Sequence, residues 1–89
     1  MDYSVNTGNE QVLIERNSKH ITDDIVDQLV AYRKKMKMTQ QDIADATGIK
    51  RANVTRIELK KNEASLDSLV RIAGSMGLKL NITLEEIQP

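Results

Sequence analysis

The chain has 89 residues, 39% hydrophobic and 29% charged, with two aromatic side chains, Tyr3 and Tyr32, and a formal net charge of zero. That length fits one small domain burying about 60–65% of its unfolded surface, with more apolar content than a disordered chain carries. The lack of cysteine excludes disulfide scaffolds, thiolate zinc sites and thiol nucleophiles, and one histidine, His20, is too few for a histidine metal cluster.

Residues 1–20 are polar, with Asn6-Thr7-Gly8-Asn9 reading as a turn. They show no basic stretch followed by an apolar one, so no signal peptide is expected, and no apolar run in the chain approaches a membrane span. Val12-Leu13-Ile14 reads either as a short strand or as part of a tethered arm, and His20 as an exposed residue ahead of the first helix.

Over 22–35 the period becomes helical. Ile25, Leu29, Tyr32 and Met36 recur every three or four residues and share one face. Thr22 reads as the cap, Asp23 and Asp24 favour the positive end of the helix dipole, and Arg33, Lys34 and Lys35 favour the negative end. Thr39-Gln40-Gln41-Asp42 then reads as a capping box opening a short helix that carries Ile43, Ala44 and Thr47 and stops at Gly48. A further helix over 51–59 follows almost at once, with Val54 and Ile57 inward. Two short helices across a tight glycine turn make a helix-turn-helix. Ser65 caps a fourth helix with Leu66, Leu69, Val70, Ile72, Ala73 and Met76 as its stripe, ending at Gly77. Leu78, Leu80, Ile82 and Leu84 then alternate with polar residues, the period of a half-buried strand. An isolated strand leaves backbone groups unpaired, so its partner is expected to be 12–14 or the same strand of a second chain. We favour the second: paired across a two-fold axis, the strands would bury eight leucine and isoleucine side chains, with the arm as an outer strand.

The charge is unevenly placed. Residues 33–61 hold nine basic side chains against three acidic, a local charge of +6, and the remainder holds four against ten. A basic middle with acidic flanks fits a polyanion-binding face and also an unevenly charged solvated surface; charge alone leaves both open.

The stretch Thr39-Gln40-Gln41-Asp42-Ile43-Ala44-Asp45-Ala46-Thr47-Gly48-Ile49, followed by Lys50-Arg51-Ala52-Asn53-Val54-Thr55-Arg56-Ile57-Glu58, resembles the Cro/C1-type (XRE) helix-turn-helix family of phage and bacterial repressors. The likeness covers roughly residues 25–77. It implies a mostly α, four-to-five-helix domain, to which the alternation read above adds a C-terminal strand and a strand-mediated dimer, with 12–14 open between a short N-terminal strand and a tethered arm. The division is an arm over 1–20, a helix-turn-helix domain over 21–77, and a dimerisation strand and tail over 78–89. By resemblance, Arg51, Ala52, Thr55 and Arg56 match the base-reading positions of a helix lying in the major groove. Gln40 matches a phosphate-gripping position, with Lys50, Lys60 and Lys61 placed for further phosphate contacts. Arg33 and Glu58 match a salt-bridge pair between the first and third helices, and Arg33 is also a candidate phosphate contact. Leu78, Leu80, Ile82 and Leu84 are the expected dimer residues. Lys50 departs from the family's usual Ser or Thr cap, and Leu59-Lys60 replaces its usual Asn-Gly.

Against these stand plainer roles. Ile43, Ala44, Val54, Ile57, Leu66 and Leu69 read as core, and Met36, Met38 and Met76 as gap-filling or surface residues. With no glycine-rich phosphate loop and no carboxylate pair suited to acid–base work, no enzyme, metal or cofactor is expected. The leading expectation is a cytoplasmic, dimeric DNA-binding regulator, bacterial or phage-encoded, that represses by occupying a two-fold symmetric operator in double-stranded DNA. The strand and N-terminal extension also resemble antitoxins, which bind a small ribonuclease toxin and repress their own operon; residues 1–20 would then contact the toxin. A dimerisation scaffold without DNA binding is a third possibility, disfavoured by the clustered basic face.

Overall fold

The computed structural model describes residues 3–5 and 18–86. The chain runs β1 (Tyr3–Val5), α1 (Ser18–Lys35), α2 (Gln40–Thr47), α3 (Arg51–Glu58), α4 (Leu66–Ser75) and β2 (Ile82–Leu84). No helix among the described residues is long and apolar enough to cross a membrane.

Helix α1 begins at Ser18, ahead of the expected start, so Thr22 is interior rather than a cap and no acid lies in the first turn. Ile21 explains the extra turn. Four residues before Ile25, it lengthens the apolar face and is buried together with Ile25, Val26 and Leu29. His20 accordingly falls within α1. Beyond the basic last turn, Lys37 takes φ 58°. The Lys37 and Met38 N–H groups donate to the Lys34 and Arg33 carbonyls at 3.0 and 3.1 Å, a Schellman ending built on lysine where glycine is usual. The turn carries Met36 into solvent, so it does not continue the apolar face.

Helix α2 opens on the expected capping box. Thr39 Oγ1 accepts from the Asp42 N–H at 3.0 Å, and the Asp42 carboxylate accepts from the Thr39 N–H at 2.8 Å. It closes at Gly48, whose φ of 77° is left-handed and whose N–H donates to the Ala44 carbonyl at 2.9 Å. Residues 48–50 make the turn into α3. Helix α3 follows Lys50, which makes no side-chain cap, and ends in a second lysine-based Schellman turn, with Lys60 at φ 61°. Lysine there adopts a left-handed conformation that favours glycine. Ser65 caps α4, its Oγ accepting from the Ser68 N–H at 3.1 Å.

The core is one cluster drawn from all four helices. Ile43 from α2, Val54 from α3 and Leu69 from α4 are sealed from solvent, and Ile57, Ile72, Ala73 and Met76 surround them beside the α1 residues. Leu66 corrects an expectation: it is 55% exposed rather than core. As the first residue of α4 it stands at the rim of an apolar groove lined also by Ile21, Ile25, Leu69, Ile82 and Leu84.

The C-terminal strand is shorter than its alternation predicts. The Leu78 N–H is spent on the Ala73 carbonyl at 2.9 Å, closing α4, and Leu78 and Leu80 pack half-buried on the chain's own core. Only Ile82–Leu84 is strand, antiparallel to Tyr3–Val5 with Val5 opposite Ile82 and Tyr3 opposite Leu84. The partner within the chain is therefore 3–5; the expected strand at 12–14 lies outside the described residues.

Candidate nucleic-acid interface

Burial on α3 divides its surface. Val54 and Ile57 are buried, and the helical period places Arg51, Ala52, Thr55 and Arg56 on the opposite arc. Arg51, Ala52 and Arg56 are exposed and Thr55 is half-buried. Asn53 adds an exposed amide that the outward-arc reading leaves out, with Oδ1 3.5 Å from Arg56 Nη1. Its place three residues before Arg56 was the available signal.

Behind this arc lies a polar cluster joining three helices. Arg33 of α1 grips Glu58 of α3 with two parallel bonds, Nε to Oε2 at 2.7 Å and Nη2 to Oε1 at 2.8 Å. Its third donor, Nη1, reaches the Met38 carbonyl at 2.9 Å. The two charged side chains are only 12% and 14% exposed, so water screens them weakly. Gln40, first residue of α2, donates from Nε2 to Glu58 Oε1 at 2.9 Å. Thr55 Oγ1 lies 2.7 Å from Gln40 Oε1 and 3.1 Å from the Arg51 carbonyl. The cluster pins the start of α2 and the end of α3 to α1. A further tie comes from α4, where Arg71 Nη1 donates to the Thr47 carbonyl at 3.1 Å, holding the end of α2.

The expected phosphate residues fall into different surroundings. Lys50 and Lys61 are exposed beside the two ends of α3. Lys60 is ion-paired with Asp27 of α1, and that hydrogen bond holds its ammonium above the ordinary pKa of 10.5. Arg33 is turned inward onto Glu58. Gln40 uses one amide proton on Glu58, leaving the geminal one directed elsewhere. Of the expected dimer residues, Ile82 and Leu84 are exposed and Leu78 and Leu80 are not. No group of three or more metal-ligating side chains occurs among the described residues.

Two short helices across a left-handed glycine turn, clamped to a first helix and backed by a fourth, define the helix-turn-helix class. The family model described as "Helix-turn-helix" matches residues 29–87, and the chain belongs to this family, of the Cro/C1 type. The chain is also similar to an uncharacterized HTH-type transcriptional regulator, y4dL, of Sinorhizobium fredii (strain NBRC 101917 / NGR234), at 29% identity over 68 residues. The match takes in 76% of this chain and 35% of that protein, so the chain spans about a third of the relative's length. No solved structure matches it significantly.

Proposed function

We propose that the chain is a dimeric, sequence-specific DNA-binding regulator that represses by occupying a two-fold symmetric operator. In this reading α3 enters the major groove and presents Arg51, Ala52, Thr55 and Arg56 to base edges. Each arginine can donate two bonds to one guanine. Gln40, Lys50 and Lys61 contact phosphates and set the register, while Arg33 serves the clamp on Glu58 rather than the DNA. Lys60, held by Asp27, sits at the margin of the phosphate set. The chemistry involves no bond making, so the protein is not an enzyme, and its place is the cytoplasm, on DNA.

The observation that carries this reading is the exposed arc of α3 fixed from behind by the Arg33–Glu58–Gln40 cluster. A reading helix must be held rigidly to convert hydrogen bonds into discrimination, and about 1–3 kcal/mol per bidentate pair is lost if it is not. Selection from a random duplex library at ~150 mM salt tests it, since non-specific phosphate binding dominates at lower salt. A two-fold symmetric motif with half-sites about one helical turn apart is expected. Failure to enrich any motif would overturn the proposal.

The exposed apolar side chains of Leu66, Val70, Ile82 and Leu84 favour a protein partner on the C-terminal side, and a second copy of the chain is the occupant the operator reading requires. The same face favours a second reading, an antitoxin that covers it with a small toxin. Co-expression with the product of the neighbouring reading frame separates the two: a stable stoichiometric complex is expected only for the antitoxin.

A further inference from the structure

The polar cluster fixes which way each of its protons points, and this has a consequence for base choice. Arginine can only donate, so Arg33 defines Glu58 as an acceptor at both oxygens. An ionised carboxylate cannot donate. Gln40 must therefore turn its amide nitrogen toward Glu58 Oε1, at 2.9 Å, which places its carbonyl oxygen toward Thr55. That oxygen can only accept, so the 2.7 Å contact is donated by the Thr55 hydroxyl. A hydroxyl has a single proton. The other partner within reach, the Arg51 carbonyl at 3.1 Å, is also an acceptor. Whichever of the two takes the proton, it is engaged within the protein, and what the Thr55 oxygen has left for an outside partner is a lone pair.

Resting on the DNA-reading role of α3, we infer that Thr55 is an acceptor-only specificity residue that selects a base carrying an amino group. In the major groove these bases are adenine, through N6, and cytosine, through N4; guanine and thymine present O6 and O4, which would face the threonine oxygen lone pair to lone pair. Threonine alone can bond to either kind of base. Here two acceptors of the protein make the choice, the Arg51 carbonyl and the Gln40 oxygen, and Arg33 orients the second of them through Glu58.

Duplex-library selection with the full chain, as wild type, Thr55→Val and Thr55→Ser, tests the inference. Wild type and Thr55→Ser are expected to favour A or C at one position of each half-site by about three- to tenfold over G or T, the worth of one net hydrogen bond. Thr55→Val keeps the shape and loses the lone pair, so that preference disappears while the remaining positions of the motif persist. Persistence of those positions also shows that the variant folds and binds. A Thr55-dependent preference for G or T would overturn the inference, as would a motif unchanged by Thr55→Val. A wild-type protein that enriches no motif removes the DNA-reading role itself, a failure distinct from these two.

Discussion

Arg33 and Glu58 carry more of the molecule than their number implies. Removing either leaves the other's charge nearly buried without its partner, at a cost of about 2–4 kcal/mol. Arg33→Ala should therefore lower the urea midpoint sharply without altering the slope of the transition. The left-handed lysines predict the opposite sign. Lys37 holds φ 58° with a Cβ that pays about 1 kcal/mol for it, so Lys37→Gly should raise the melting temperature by several degrees. Lys60→Gly should gain less, because it also removes the pair with Asp27. That pair has its own pH signature. With the folded pKa raised above the unfolded value of 10.5, its contribution is complete below that pH and is lost as pH rises through the folded pKa. Stability measured between pH 7 and 9 should show no trace of its loss.

At the scale of elements, what was legible in the sequence was what is local. The Thr39–Asp42 box, Gly48 and the Ser65 cap each act within three or four residues, and all three were readable from spacing. Thr22-Asp23-Asp24 imitates a cap, whereas burial of Ile21 extends α1 past it to Ser18. Alternation over 78–84 overstates β2, because it reports a half-buried chain and not a paired one. Leu78 and Leu80 are half-buried on helices, and only 82–84 has a strand beside it. Lysines in left-handed turns were not legible, since that conformation points to glycine. Nor was the Thr55–Gln40 bond, which joins residues 15 apart only through the packing of α2 on α3. Two substitutions follow at this scale. Lys50→Ser supplies α3 with the cap it lacks, and should stabilise the domain by about 1 kcal/mol while weakening DNA binding. Gly48→Ala meets no atom within 4 Å of the new Cβ, so its cost is the backbone term alone, about 1–2 kcal/mol by thermal melting.

For the whole molecule, a net charge of zero conceals a +6 segment, and the structure uses those charges unequally. Arg33 is consumed internally, Lys60 is paired with Asp27, and Lys50, Arg51, Arg56 and Lys61 remain on the outer surface around α3. This division separates two kinds of loss. Lys50→Ala should weaken binding to every duplex alike and flatten the salt dependence by about one unit of slope. The arginines should act on discrimination. The measurement that decides the account is an anisotropy titration of wild type and Arg51→Ala/Arg56→Ala on the selected duplex and on a scrambled one, at matched salt. The double variant is expected to stay folded, to bind the scrambled duplex more weakly by the loss of charge alone, and to lose most of its preference for the selected one. If the double variant keeps the wild-type ratio between the two duplexes, α3 is not the element that reads DNA.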